Sequence, residues 1–389
     1  MRLGDVIQVN PESIRAGYPY EQIEYVDISS VGTGTMEGTK SISLDGAPSR
    51  AKRIVRNADT LLATVRPNLR SFLYVRQPST NTIASTGFAV LRATDAIDPR
   101  FLYYTVTNQA FTDYLTANAK GAAYPAVDAD TIKRAEIYLP PLSIQQKIAA
   151  ILSAYDDLIE NNLWRIKILE EMARNLYREW FVKFRFPCHA KVRMVDSPLG
   201  KIPEGWEVVT LGELVNIPKG KNITKKTIVP GDVPVVAGGI APAYYHNAAN
   251  TRNPVITISA SGANAGFVNL YYHDVWASDC SVIDLSATKY VYYFYLLLKD
   301  RQYEVTRLQR GAAQPHVYPK DLMALDALSV PEEILEFFAR KIGPIFKMIK
   351  NMKEKNKNLH QTRDLLLPKL ISGELDISEL EIDTGKEAA

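Results

Sequence analysis

Cysteine is nearly absent from these 389 residues: Cys188 and Cys280 are the two, far apart in different sequence contexts. A disulfide framework is excluded. One bridge between them stays open, but a reduced, cytoplasmic chain is the expectation. Five scattered histidines show no metal-ligand spacing, so no metal is expected, and the adjacent Cys188 and His189 are the only candidate pair. The longest apolar run, Tyr290 to Leu298, is far too short to span a bilayer, and the N-terminus has no apolar signal segment. Neither charge sign dominates. With 46 Lys and Arg against 43 Asp and Glu the net charge is +3, so a cationic coat or tail is excluded and nucleic acid would have to be met by local patches.

Catalytic motifs are missing as well. No phosphate-binding Gly-x-x-x-x-Gly-Lys appears, and Gly32-Thr33-Gly34 lacks the further spaced glycine of a dinucleotide fingerprint. The only Pro-Pro is Pro140-Pro141, so the Asn-Pro-Pro-aromatic motif of amino-methylating enzymes is absent. There is no Gly-x-Ser-x-Gly elbow. Asp156-Asp157 and Glu170-Glu171 read as a solvated helix face. Together these absences point to a binding or assembly protein.

What is present is a repeat. Gly121-Ala122-Ala123-Tyr124-Pro125-Ala126-Val127 returns as Gly311-Ala312-Ala313-Gln314-Pro315-His316-Val317, an offset of 190. The register then holds without a gap: Pro141 falls on Pro331, Asn161 on Asn351 and Leu176 on Leu366. At the front of each copy Leu3-Gly4-Asp5 matches Leu211-Gly212-Glu213, at an offset of 208. The first copy therefore carries about 18 extra residues. Two copies suit the two to three domains expected of this length.

Each copy is a body followed by a helical tail. The bodies carry short β-branched and aromatic runs, among them Thr60 to Val65, Ser71 to Val75, Gly87 to Leu91, Val255 to Ile258 and Ala265 to Tyr272. Helices are expected at Pro99 to Asn118 and Lys289 to Gln309. After Pro140-Pro141, with Ser143 as N-cap, steps of four and three select Ile148, Leu152, Tyr155, Ile159, Asn162, Ile166, Leu169, Ala173, Leu176 and Trp180. The second tail gives Phe338, Ile342, Ile345, Ile349, Met352, Asn356, Leu359, Arg363, Leu366 and Leu370, with Gly343-Pro344 expected to kink or split it. Each stripe could cover its own body. Mutual packing as an antiparallel intramolecular coiled coil, with a body at either end, is the favoured reading. The fold class is then α+β (mixed α/β), with pseudo-two-fold symmetry.

Leu139-Pro140-Pro141-Leu142-Ser143-Ile144-Gln145 resembles the Leu-Pro-Pro-Leu-x-Glu-Gln start of the spacer in specificity subunits of type I restriction-modification systems. Ile202-Pro203-Glu204-Gly205-Trp206 with Leu211-Gly212-Glu213 resembles the entry to that family's second target-recognition domain. Gly311 to Pro315 resembles its Gly-x-x-Gln-Pro turn, and Leu365 to Leu370 with Ser372-Gly373-Glu374-Leu375 its C-terminal end. The chain departs from the pattern at Tyr124, at Ile144, and at Val330-Pro331, where one proline is lost.

The resemblance implies target-recognition domains at 1–142 and 201–331, spacer helices at 143–186 and 332–375, a linker at 187–200 and a tail at 376–389. It implies a non-catalytic subunit that reads a bipartite site on double-stranded DNA. Such a subunit recruits two N6-adenine modification subunits, and restriction subunits that translocate DNA. It binds no cofactor itself; S-adenosylmethionine, ATP and Mg2+ serve the partners.

A first spacer of some 42 residues is roughly 60 Å long. Inserting four residues after Asn162 should therefore change the gap between half-sites, and leave the half-sites themselves alone. Candidate DNA contacts are Arg50, Lys52, Arg53, Arg56, Arg66 and Arg70 in the first body, and Lys219, Lys221, Lys225, Lys226, Arg307 and Arg310 in the second. Gln314 could face adenine or hold its turn, and Tyr124 could stack or fill core. Trp164, off the ladder, is the expected methyltransferase contact. Rival readings are a coiled-coil scaffold without DNA, an enzyme with an unrecognised site, and DNA recognition coupled to a different effector.

Overall fold

The structure is a computed structural model that describes residues 1–311 and 313–385. Ala312 of the repeated turn and residues 386–389 of the expected tail lie outside the described residues. The chain forms two compact units. One joins Met1–Asn161 to the chain from Asn356 onward; the other is Asn162–Lys355.

The first unit begins with β1 (Ile7–Val9), β2 (Gln22–Val26), β3 (Lys40–Ser43), β4 (Ala51–Ile54), β5 (Thr60–Ala63), β6 (Phe72–Tyr74), β7 (Thr82–Ser85) and β8 (Phe88–Ala93). They build two four-stranded sheets, ordered β1-β8-β5-β6 and β3-β2-β7-β4. The apolar runs of β5 and β8 pair antiparallel, Thr60 opposite Leu91 and Ala63 opposite Phe88, and both are buried at these positions because each face of this sheet is covered. Then come α1 (Pro99–Thr107), α2 (Gln109–Ala117), α3 (Ala129–Arg134) and the long α4 (Leu142–Tyr177). The single helix expected at Pro99 to Asn118 is broken: Asn108 is extended, and its side chain caps α2 by accepting from the Phe111 N–H.

The second unit opens with the hairpin β9 (Met194–Ser197) and β10 (Gly200–Pro203). After it come β11 (Glu207–Thr210), α5 (Leu211–Leu214), β12 (Val233–Val236), β13 (Tyr244–His246), β14 (Val255–Ser259), β15 (Val268–Tyr271), β16 (Trp276–Ala277) and β17 (Cys280–Asp284). The chain continues as α6 (Val291–Asp300), α7 (Gln302–Arg307), α8 (Pro319–Met323), β18 (Asp326–Ser329) and α9 (Glu332–Ser372). The sheets β15-β14-β17 and β13-β12-β16 repeat the arrangement of β6-β5-β8 and β3-β2-β7, including a parallel pair in the second sheet of each. β4 has no counterpart among the described residues, so part of the first copy's extra length forms an added edge strand. The helix expected at Lys289 to Gln309 also breaks, at Arg301. The strand expected from Ala265 starts only at Val268, because Gly266 takes a left-handed φ of 84° in the preceding loop.

Both long helices start on a proline carbonyl. Pro141 accepts from Ile144 and Gln145, and Pro331 from Ile334 and Leu335. This corrects the expected cap: α4 begins at Leu142, so Ser143 sits inside the first turn and Pro141 precedes the helix, its carbonyl taking the first helical bonds. α9 also runs unbroken through Gly343-Pro344, so it is not split. Pro344 is exposed, so the carbonyl it leaves free faces water.

Within each unit a stretch of α4 runs antiparallel to a stretch of α9. In the first, the Asn356 amide donates to the Ile159 carbonyl at 3.3 Å, and Arg363 pairs with Asp156 at 2.5 Å. Ile148, Leu152, Leu370 and Ile371 join the core of the first globule. In the second unit, Ile166, Ala173, Tyr177 and Trp180 pack with Phe338, Ile342, Phe346 and Ile349. The remaining rungs, Tyr155, Asn162, Leu169, Ile345, Met352 and Leu359, are half-buried. The stripes therefore cover one another and the globules together.

Asp156 corrects the sequence reading. It is not a solvated carboxylate: Tyr104 donates to it at 2.6 Å from the globule, and Arg363 from α9. Asp157 beside it receives Arg76 at 2.8 Å.

Candidate nucleic-acid interface

In the first unit, the loop from Thr64 to Ser71 joins β5 to β6. The Gly121 turn lies against it. Lys120 and Ala126 exchange backbone bonds of 2.8 and 2.9 Å to close that turn. Gly121 sits at φ 102°, where a Cβ would come within 3.0 Å of the Tyr124 carbonyl, so this position requires glycine. The Arg66 N–H donates to Pro125 O at 2.7 Å, and Val127 N–H to Thr64 O at 3.0 Å. On the other side, Gly34 and Phe72 are joined at 2.9 Å, which seats the loop between β2 and β3 there too.

The second unit is built the same way around the loop from Ala260 to Phe267. Arg310 and His316 close the Gly311 turn at 2.8 Å each. The Gly262 N–H donates to Pro315 O at 3.0 Å, and Val317 N–H to Ala260 O at 3.0 Å. Ser259 Oγ donates to Gly238 O at 2.6 Å, seating the β12–β13 loop. Each unit thus presents three adjoining loops, and the matched bonds make Arg66 equivalent to Gly262 and Tyr124 to Gln314.

The candidate cations divide by what holds them. Arg66 is in the left-handed region at φ 50°, and its guanidinium lies 4.7 Å from the Tyr124 ring centroid. Tyr124 is 69% exposed, so it does not fill core. Arg70 turns inward, donating to the Thr107 carbonyl at 2.8 Å and to Gln109. Arg50 pairs with Asp27 at 3.3 Å. Arg53 is half-buried against Ser13, and burial lowers its pKa. Arg56 pairs with Glu12 at 2.6 Å. Arg53 and Arg56 thereby tie the β4 edge to the Glu12–Ser13 segment, while Lys52 is exposed.

In the second unit Lys219 is 3.8 Å from Asp279, whose carboxylate also accepts from Ser261 Oγ, so Lys219 stands beside the central loop. Lys221 and Lys226 are exposed. Lys225 lies over Tyr244 at 5.6 Å, and Arg307 over the exposed Tyr303 at 5.7 Å. Arg310 is drawn to Asp321 at 2.6 Å. Gln314 is exposed, and its turn is closed by backbone bonds.

Sequence reasoning missed Asp279, Ser261, Gly262 and the two hairpin loops. The hairpin loops were signalled by the spaced glycines of Gly32-Thr33-Gly34 and the doublet Gly238-Gly239, which fit a dinucleotide motif no better than a hairpin.

A second surface lies on α4. In the second unit Leu163, Trp164, Ile168 and Met172 are each at least half exposed. The steps of four from Trp164 to Met172 place three of them on one face.

Among the described residues no His, Cys, Asp and Glu group could hold a metal, and no helix is long and apolar enough to cross a membrane. Both cysteines are free, and burial pushes the Cys280 thiol up to about 12.

The family described as the type I restriction modification DNA specificity domain matches residues 1–171 and 203–360. The chain belongs to this family. The specificity subunit of the type I restriction enzyme MjaIX from Methanocaldococcus jannaschii is 28% identical over 97% of this chain and 88% of that protein. The HindI specificity subunit from Haemophilus influenzae is 23% identical over 90% of this chain and 95% of its own. A crystal structure of the type I restriction-modification S subunit from M. genitalium superposes with a TM-score of 0.60 at 17% identity, covering 97% of this chain and 96% of that one, and so shares the fold. The two matched segments of this specificity subunit fall on the two copies read from the sequence. The expected role without catalysis of its own agrees with the family.

Proposed function

We propose that this specificity subunit reads a bipartite site on double-stranded DNA, one half-site with each three-loop surface. The observation that carries the reading is the matched backbone bonding of the Gly121 and Gly311 turns, which gives both units one loop scaffold with different side chains on it. The domains are 1–142 and 201–331, with spacers at 143–186 and 332–375, a linker at 187–200 and a tail at 376–389. Lys219, Lys221, Lys225, Lys226 and Arg307 meet phosphates. The exposed face of α4 around Trp164 recruits the methyltransferase subunits, two in number, and restriction subunits join them. S-adenosylmethionine, ATP and Mg2+ serve those partners, in the cytoplasm. Lengthening the spacers changes the half-site gap.

The test is to map N6-methyladenine across the host genome with and without this gene. Gene-dependent methylation at one split motif is expected. An identical methylome in both strains refutes the reading, and favours a scaffold or a different effector.

A further inference from the structure

We propose that the two surfaces read different bases through one pair of equivalent positions. Arg66, its guanidinium 4.7 Å from the Tyr124 ring centroid, reads a guanine in one half-site; Gln314, in the turn bonded to Gly262 through Pro315, reads an adenine in the other. This rests on the function proposed above and deepens it.

The Arg66 side makes a prepared plate. A left-handed backbone is rarely adopted by residues other than glycine, and such positions concentrate at functional sites. Here the Arg66 N–H bond to Pro125 and the flanking turn hold it. Its Nη2 lies 3.4 Å from the Ala123 carbonyl, and its central carbon 4.7 Å from the Tyr124 ring centroid. Five donors in a planar fork leave a free edge. A phosphate needs only a nearby cation. A planar fork held beside an exposed aromatic suits the paired O6 and N7 acceptors of guanine. Arg66 is therefore a base reader, whereas Arg70, at the other end of the same loop, is consumed by Thr107 and Gln109.

The second unit lacks both halves of the plate. A Cβ on Gly262 would meet nothing within 4 Å, so the space that Arg66 fills in the first unit stands open. Gln314 is exposed beside it on a turn already closed by backbone bonds. A side-chain amide in that space matches adenine N6 and N7.

The test uses the chain with its partner subunits in the host and reads the methylated motif. Arg66→Ala and Arg66→Lys should both relax one guanine in one half-site, losing about ten- to a hundredfold discrimination, with the other half unchanged. Tyr124→Phe keeps the ring and should keep the motif; Tyr124→Ala should relax the same guanine. Gln314→Ala should relax an adenine in the opposite half. If Arg66→Ala fails to accumulate, 7-deazaguanine in DNA given to the unaltered complex tests the same N7 contact, and weaker binding is expected. A uniform fall at all sites with an intact motif would make Arg66 a phosphate contact and overturn the proposal, as would a first half-site without guanine. Absence of gene-dependent methylation in the unaltered strain refutes the underlying function instead.

Discussion

Gly220→Ala should damage both the stability and the DNA affinity of the second unit, for one steric reason. A Cβ at Gly220 would lie 2.5 Å from the Ser278 carbonyl oxygen and 2.6 Å from that of Ala277. Both are backbone atoms, one at the end of β16 and one in the turn to β17, so no side chain can swing aside. The 219–223 segment must lift. Four bonds hold it down: Gly220 N–H to Cys280 O at 2.7 Å, Lys221 N–H to Ala277 O at 2.9 Å, Ile223 N–H to Ser278 Oγ at 3.3 Å, and Trp276 Nε1–H to Lys221 O at 2.8 Å. At a net value of about 1 kcal/mol each, loss of two to all four costs about 2–4 kcal/mol. For a unit of this size that lowers Tm by roughly 5–12 °C.

The same segment presents Lys219 and Lys221. If each neutralises one phosphate, displacing both should reduce the slope of log affinity against log salt by up to about 1.8. Three variants separate the causes in one calorimetric and one salt-titration series. Lys219→Ala with Lys221→Ala should flatten the salt slope and leave Tm within a few degrees. Gly220→Ala should lower both. Gly239→Ala, whose Cβ would find its nearest neighbour at 3.5 Å, should leave Tm unchanged. A Gly220→Ala protein with ordinary Tm refutes the steric argument, and an unaltered slope in the double lysine variant removes this segment from the DNA contact.

Three further outcomes follow from other contacts. Arg363→Ala leaves Asp156, only about a fifth exposed, to Tyr104 alone. It should destabilise the first unit by about 1–3 kcal/mol, read as faster amide exchange in α1; unchanged exchange would show the pair to be incidental. Ile168→Glu with Met172→Glu should abolish co-purification with the methyltransferase at unaltered Tm, and normal co-purification would exclude this face as the docking surface. The Arg92 guanidinium first, opposed by burial and helped by Arg56, holds the Glu12 carboxyl below its usual range. The folded state thus favours ionised Glu12, so its contribution is complete above the ordinary carboxylate pKa and fades as pH falls through the lowered one. Glu12→Gln should therefore flatten the acid limb of a stability profile, and an unchanged limb would discount the pair.

The helical part of the fold was legible because its signal is periodic. The rungs from Ile148 to Trp180 and from Phe338 to Leu370 are all buried or half-buried, since a stripe repeated over that length must be covered. The repeat was legible because its turns carry glycine at left-handed positions, 121 and 311. The loop surfaces were not. Arg53, Arg56, Arg70 and Arg310 look like any other cation in a basic cluster. Only the positions of Ser13, Glu12, Thr107, Gln109 and Asp321 show that these are held by the protein itself. A local charge count has no access to such pairings.

The misreading of Asp156 is more instructive, because the repeat could have corrected it. At the offset of 190, Asp156 falls on Phe346, Tyr104 on Phe294 and Arg363 on Ala173. Where the first unit joins globule to helices by hydroxyl, carboxylate and guanidinium, the second uses packed rings, with Tyr292 stacked on Phe346 at 4.2 Å. A solvated position has no reason to carry phenylalanine in its other copy, so the pair of residues at one repeat position already marked a contact. The two joints also differ in what strengthens them. Salt screens the first and leaves the second nearly unaffected, since apolar burial does not weaken with ionic strength. At this one repeat position the two units thus use two chemistries, and raising ionic strength should weaken the Asp156 contact before the Phe346 one, while Lys289 with Glu332 and Glu336 gives the second unit salt-sensitive pairs elsewhere.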